Sequence, residues 1–549
     1  YTFISLFKAC ANAMNLEEGK RLHGVAGQQR PSVVSDVFVC NSLISMYGKC
    51  GACHEAEEVF LSMPSHTTVS WNAMLTAFLE QKEGKKALML YRQMKEERGA
   101  NESILTVVIA LQACCALVEN EELGDMKGQL AMSLEIGKAL HAHAYGRGYT
   151  SDIVLGSTLI SLYGKCGCLL GAVKVFDDLP MRNVVTWTAM ISVYVEHDLY
   201  DEALQLFKHM HMKGVGPNHL TYVLALQACN TIAEKKVSSI AWRGGSTILR
   251  IGRALHADAH RNSHASDTLV CNKLISMYGK CKAILEAEQV FNTMPERDIF
   301  SWNAMLALYT EQDQLEKVLH LYQNMLREHA NVDEVSFMCI LQAYGKAGNF
   351  EACQDIYFCI VSARYDVVPS VMTTLIHAYG GCGSSKDGHD AFDGLIDPDI
   401  VLWNACINSH AGEGNHVVCC KVVKELLLSG TKHDKVTQSS ILSAFCHIGL
   451  VSEGLGYFNS MKRDHYLLPD IQHYGIMFDL LGRAGDFDKV EKMLQRMPMQ
   501  PDMIIWSSLL GACYNHGNLE FAKTLLDNGL HSFHEKVLNS TCFSEEHSL

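Results

Sequence analysis

With 549 residues, 48% of them hydrophobic and only 19% charged, the chain has ample apolar surface for a packed interior yet exceeds one ordinary domain, so several domains or a repeat array are required. Ten prolines and 41 glycines without a long polar tract argue against extended disorder, and no run approaches the roughly 18 apolar residues that a membrane-spanning helix needs. Forty-six basic against 60 acidic residues leave a net charge of -14, which counts against a grip on nucleic acid mainly through phosphates, though not against reading of base edges along one local groove.

The chain opens at Tyr1 rather than at an initiator methionine, inside what reads as a repeat, so the expectation is that a targeting peptide has been lost. Self-similarity begins with Asn41-Ser-Leu-Ile-Ser-Met-Tyr-Gly-Lys-Cys50 and returns as Ser157-Thr-Leu-Ile-Ser-Leu-Tyr-Gly-Lys-Cys166 and Asn272-Lys-Leu-Ile-Ser-Met-Tyr-Gly-Lys-Cys281. A weaker copy runs from Thr373 to Cys382. Each of the three strong copies is followed by an Ala-rich stretch ending in Val-Phe and then Met-Pro or Leu-Pro (Val59-Phe60 to Pro64, Val175-Phe176 to Pro180, Val290-Phe291 to Pro295). A tryptophan comes next, at Trp71, Trp187 and Trp302, and Trp403 and Trp506 continue the series. Apolar residues spaced by three and four, such as Leu43, Ile44 and Tyr47, then Ala56, Val59 and Phe60, predict two amphipathic helices per unit. Gly-Lys-Cys-Gly supplies the first turn, and proline ends the second helix because it cannot continue one. The predicted fold is all-α, an α-solenoid of helical hairpins about 31 to 35 residues long.

These strings, in alternating short, standard and long units, resemble the pentatricopeptide repeats of plant organelle proteins, in the subclass that alternates the three lengths. The resemblance implies a right-handed superhelix. Short units run over 37–67, 153–183, 268–298 and 369–399, and standard units start at 68, 184, 299 and 400. Long units fill the gaps, with insertions near 119–133 and 234–247, so that tandem repeats cover 1–434. Residues 435–502, with Asp479-Leu-Leu-Gly-Arg-Ala-Gly485 and Met497-Pro-Met-Gln-Pro-Asp502, look like the closing long and short pair of the family. Residues 503–530, with Trp506-Ser-Ser-Leu-Leu-Gly-Ala-Cys513, resemble a partial extension motif, and 531–549 form a divergent tail. Tetratricopeptide repeats are the competing reading, but Trp71, Trp187 and Trp302 lead into Asn-Ala-Met or Thr-Ala-Met instead of their signature.

The family reads single-stranded RNA one base per repeat, through the fifth residue of the first helix and the last residue of the unit. Carried over, the base-reading pairs are Asn41 with Thr67, Asn72 with Ser103, Ser157 with Asn183, Thr188 with Asn218, Asn272 with Asp298, Asn303 with Asp333, Thr373 with Asp399, and Asn404 with Asp434. An ionised Asp only accepts, suiting the ring N–H of U or G, whereas Asn can donate to the bare ring nitrogen of A or C. A longer Asn at the fifth position leaves room for a pyrimidine, and a Thr or Ser there tolerates a purine. The implied target is near 5′-Y-C-n-A-A-n-U-U-n-G-U-3′, with the long units, which carry Ile4, Val108, Val223 and Met338 at the fifth position, as spacers. The family also implies that apolar second residues sandwich the bases, here Phe38, Val69, Val154, Val185, Leu269, Phe300 and Val401, with Ser370 a departure. Lys49, Lys165 and Lys280 resemble its phosphate-facing lysines. The competing reading of the Asn, Asp and Thr residues is that they are helix caps, and of the lysines that they are helix C-terminal charges.

Other chemistry was sought. The His-x-Glu and Pro-Cys-x-x-Cys of a zinc deaminase do not occur, nor does a Gly-x4-Gly-Lys-Ser/Thr phosphate loop, so no catalytic residue, cofactor or enzyme activity is assigned. Cys50-x2-Cys53 has zinc-like spacing that is not repeated at Cys166 and Cys281, so no metal site is assigned either. The 21 scattered cysteines indicate a reducing compartment. His23, His141 and His256 recur at equivalent places and read as packing or surface residues. The resemblance thus implies a sequence-specific binder of organellar RNA, in the mitochondrion or else the chloroplast. Its expected role is recognition of a C-to-U editing site, with a deaminase or editing factor docking in trans at the C-terminal end. The alternatives are an RNA stability or splicing factor of the same family and a protein-binding helical scaffold.

Overall fold

The structure, a computed structural model, describes residues 2–29, 36–97, 102–119, 126–237, 245–395, 397–429, 435–464 and 468–526. Asp434 and the tail 531–549 lie outside the described residues. Helices connected by short turns make up the described chain, which divides into two units, Tyr1–Glu296 and Arg297–Leu549. No helix among the described residues is long and apolar enough to cross a membrane.

In the first unit the hairpins follow in order. Val37–Lys49 pairs with Cys53–Ser62, Thr68–Glu80 with Gly84–Glu96, and Ile104–Glu119 with Met126–Gly146. The pattern then returns as Ile153–Lys165 with Leu169–Asp178, Val184–Glu196 with Tyr200–Met212, and His219–Val237 with Gly245–Arg261. In each hairpin the first helix packs on its own second helix and on the first helix of the next hairpin, which is how a solenoid buries a face that one hairpin cannot bury alone. The predicted short-unit core is in place: Leu43, Ile44 and Tyr47 are buried with Ala56, Val59 and Phe60. The Val-Phe motif and the following tryptophan meet edge to face, with ring centroids 5.0 Å apart for both Phe60–Trp71 and Phe176–Trp187.

Two details explain the Tyr-Gly-Lys-Cys-Gly string. Gly48 sits where successive first helices touch, and a Cβ there would fall 2.6 Å from the Ala77 Cβ. Gly51 and Gly167 turn the chain with φ of 79° and 73°, left-handed conformations that side chains resist. The third copy places Lys282 there at φ 58°. The two sequence insertions are taken up partly in helix, because Met126–Gly146 and Gly245–Arg261 are longer than the second helices of the short hairpins.

The second unit repeats the plan. Ile299–Glu311, Glu334–Ala347, Pro369–Gly381, Ile400–Gly412, Lys435–Ile448, Ile471–Ala484 and Met503–His516 are its first helices. The first helices that start at Lys435 and Ile471 end at Gly449 and Gly485, with φ of 80° and 72°, and Phe392 packs on Trp403 at 4.7 Å.

Candidate nucleic-acid interface

Among the described residues, the last residue of each short unit and of the first three standard units is the N-cap of the next first helix. The Oδ1 atoms of Asn183, Asp298, Asp333 and Asp399 accept the backbone N–H of Thr186, Ser301, Ser336 and Leu402 at 3.1, 2.8, 3.0 and 2.9 Å. Asn218 does the same for Thr221 at 2.9 Å, and the hydroxyls of Thr67 and Ser103 cap Ser70 and Thr106 at 3.3 and 3.2 Å. The capping reading therefore holds, and it bears directly on base reading. A helix N-terminus fixes one atom of the side chain as the acceptor, so the other atom is set: an NH2 donor for Asn, a second acceptor oxygen for Asp.

The structure brings fifth and last residues together, directly or through one hydroxyl, in the first three standard units. Asn303 Nδ2 donates to Asp333 Oδ1 and Oδ2 at 2.9 and 3.0 Å, and Asn303 Oδ1 accepts from the Ser336 hydroxyl at 2.6 Å. Asn72 Nδ2 donates to Ser103 Oγ at 3.4 Å while its Oδ1 accepts from Thr106 Oγ1 at 2.8 Å. Thr188 lies 2.9 Å from Thr221, whose hydroxyl donates to Asn218 Oδ1 at 2.7 Å. A hydroxyl on the third residue of the following helix thus completes each pair, a component that a code of two positions leaves out. Its signal was in the sequence, as Thr106, Thr221 and Ser336 at one register.

In the first two short units the fifth residues stand otherwise. Ser157 donates to the Val154 carbonyl at 2.9 Å, and Asn41 Oδ1 is buried with no hydrogen-bond partner, as is Asn404 Oδ1 in the fourth standard unit. A buried orphan acceptor costs about 1–3 kcal/mol unless a ligand completes it. Asn272 and Thr373 are half-buried at the same register. Asp434, the intended partner of Asn404, lies outside the described residues.

All seven apolar second residues, Phe38, Val69, Val154, Val185, Leu269, Phe300 and Val401, are exposed, against the burial their type favours. The long units read as spacers from Val108, Val223 and Met338 carry the same feature at Leu105, Leu220 and Val335, and the repeat that starts at Lys435 carries it at Val436. Ser370 breaks the series, and its hydroxyl donates to Glu334. Among the lysines, Lys49 is exposed, while Lys165 is ion-paired with Glu119 and Lys280 lies 3.5 Å from Glu234. Such half-exposed pairs at the surface are weak.

His23, His141 and His256 do pack. Their Nδ1 atoms lie 2.9, 2.9 and 3.0 Å from the hydroxyls of Tyr47, Tyr163 and Tyr278, joining the second helix of a long unit to the first helix of the next short one. Burial holds all three imidazoles below the usual histidine range. Cys50 and Cys53 do not converge: their thiols face the carbonyls of Cys10 and Ala77 respectively.

Comparison with known proteins assigns this architecture. The PPR repeat family matches residues 66–116 and 182–231, and the PPR repeat matches 38–66, 157–184, 270–299, 300–329, 335–364, 437–466, 473–500 and 504–528. The chain belongs to the pentatricopeptide repeat family. Pentatricopeptide repeat-containing protein At4g35130, chloroplastic, from Arabidopsis thaliana, is 31% identical over 95% of this chain and 61% of its own length. The chloroplastic At1g11290 of the same species is 29% identical with the same coverage. This pentatricopeptide repeat chain therefore spans about three fifths of the length of those relatives. The crystal structure of the pentatricopeptide repeat protein PPR10 in complex with an 18-nt psaJ RNA element is 18% identical, with a TM-score of 0.45 over 97% of this chain and 84% of that one.

Proposed function

We propose that this chain binds single-stranded RNA sequence-specifically, reading one base at each short or standard repeat and acting in RNA processing in a plant organelle. The observation that carries the reading is the paired register of fifth and capping residues, as in Asn303 with Asp333, flanked by exposed apolar second residues. An apolar side chain left in water at the same place in hairpin after hairpin offers a stacking surface, which any base can use. On this reading the capping bond beside it leaves an NH2 donor on Asn and an acceptor oxygen on Asp, which would separate A or C from G or U. Asp333 Oδ2 receives one hydrogen bond and keeps a lone pair for a base N–H.

The reading extends to a role in C-to-U editing, with the chain choosing the site and a deaminase arriving in trans, and to residence in the chloroplast or the mitochondrion. Deleting the gene should then abolish conversion at one or a few organellar cytidines. Altered transcript levels without a base change would replace editing by a stability or splicing role.

Binding is tested with the purified chain against the target 5′-Y-C-n-A-A-n-U-U-n-G-U-3′ and a scramble of equal composition, in about 0.15 M salt so that phosphate attraction is partly screened. A preference of about tenfold, or about 1.4 kcal/mol, is expected. Asn218→Asp should move the preference at its base from A towards G. Equal affinity for both RNAs, or no shift in the variant, would defeat the assignment.

A further inference from the structure

The fourth short and standard repeats bring together a side-chain cluster that RNA reading does not use. His389, on the helix Ser385–Asp393, points its Nδ1 at Cys406 Sγ and at His410 Nε2, 3.4 Å from each, and Cys406 and His410 lie one turn apart on the helix Ile400–Gly412. All three donor atoms fall within 4.8 Å of one another. Ligand atoms on a tetrahedral zinc ion, at bond lengths of about 2.0–2.3 Å, stand about 3.3–3.6 Å apart, so these two separations are already those of a ligated set. Cys406 and His410 are buried, and His389 reaches the surface.

Hairpin alignment shows how specific this cluster is. The position of Cys406 is filled by Met74, Met190 and Met305 in the other standard repeats, and that of His410 by Phe78, Tyr194 and Tyr309. The position of His389 is filled by Glu57, Val173 and Glu288 in the other short repeats. Three side chains that pack or face solvent elsewhere have been replaced, in one repeat pair only, by three metal ligands that meet. A fourth residue fits the same pattern: the Asp393 carboxylate lies 3.7 Å from His389 Nε2, on the side away from the cluster. A carboxylate on the far nitrogen is the usual partner that orients a metal-bound imidazole.

We propose that His389, Cys406 and His410 form a site for a borderline-soft cation of the zinc(II) class, which pins the second helix of the fourth short repeat to the first helix of the standard repeat that follows. Two imidazoles and one thiolate select such a cation over magnesium or calcium, which prefer oxygen. Three protein ligands leave one corner of the tetrahedron for water. The site is independent of RNA reading, because Asn404 and the exposed Val401 occupy other positions of the same helix.

The test loads the purified full chain with zinc, dialyses it against a weak chelator and counts metal per chain. Wild type should retain one equivalent more than Cys406→Met or His389→Val, substitutions that restore residues already found at these positions in other repeats and therefore should fold. Cys420→Ser, a half-buried cysteine outside the cluster, controls for adventitious thiol binding. Cobalt(II) should give wild type a thiolate charge-transfer band that Cys406→Met lacks. Equal metal content in all four proteins, no retained zinc in wild type, or a loss in Cys420→Ser as large as in the cluster variants would each overturn the proposal.

Discussion

Residues 37–97 and 369–429 are two versions of the same short and standard hairpins. Leu43, Ile44 and Tyr47 in the first correspond to Leu375, Ile376 and Tyr379 in the second, all buried, and Trp71 on Phe60 corresponds to Trp403 on Phe392. Around this common core several positions have been exchanged. Asp36 caps the first helix of one, while Val368 offers no side-chain cap in the other and Pro369 opens the helix instead. Phe38 faces water where Ser370 binds Glu334. Packing positions hold the hairpin; caps, exposed residues and partner-facing residues are set hairpin by hairpin.

The largest test of that contrast lies in the shared core. Trp71→Ala should cost about 3–5 kcal/mol, and Trp403→Ala should fall at the lower end of that range because Trp403 is already 9% exposed against 1% for Trp71. Urea titration with hydrogen exchange at each hairpin reads both, and a greater loss for Trp403→Ala would mean that the two cores are not equivalent. Next comes the helix contact. Gly48→Ala drives a Cβ against the backbone and Cβ of Ala77 and should cost about 1–3 kcal/mol. At Gly380 the nearest atom is the Ser409 hydroxyl, which can rotate away, so Gly380→Ala should cost less.

The joints differ in their response to acid. His23, His141 and His256 are held neutral by burial, and the matching place before Tyr379 is Tyr357. An imidazole whose folded pKa lies below its unfolded value of about 6.5 contributes fully above that pH and loses its contribution as the pH falls below it. Glu55 and Glu58 border His23, Asp178 opposes and Lys174 reinforces the shift at His141, and His260 adds to it at His256. Replacing all three histidines by tyrosine should shrink the stability difference between pH 7.5 and pH 5. The acid response that remains should come from other imidazoles that desolvation holds below the usual range, among them His377. An unchanged pH profile would show that these joints do not titrate. The smallest effect is at the turn, where the fourth short repeat keeps Gly383 and the third has Lys282. Lys282→Gly relieves a left-handed side chain at some entropic cost and should stabilise by about 0.5 kcal/mol, visible as a shift in urea midpoint.

Much of this was legible in the residues. Near-copies of a ten-residue string gave the hairpin length, the turn and the core, because each hairpin meets the same neighbours and so needs the same side chains. The pairing of Asn303 with Asp333 could be placed by register alone. The bridging hydroxyls of Thr106, Thr221 and Ser336 were missed because two positions were taken as the whole reading unit. Leu105, Leu220, Val335 and Val436 were passed over because an apolar residue on an amphipathic helix reads as core until its exposure is seen. The ligand cluster was hidden for a different reason: Cys406 and His410 share a helix, but His389 comes from another repeat and meets them only when the hairpins stack.

On the proposed reading of RNA, the last residue both caps a helix and reads a base, and that double duty would limit how such a protein can change its target. Thr, Ser, Asn and Asp are the residues that cap a helix well, and they are the residues found here at the reading position. On that reading, a mutation from Asn to Asp would rewrite one letter of the recognised sequence while the joint to the next repeat keeps its cap. A mutation to Ala, Leu or Lys abandons the letter and loosens the joint by about 1 kcal/mol at once. Specificity can therefore drift by single steps within this small alphabet at nearly constant stability, whereas leaving the alphabet exposes the variant to both defects together.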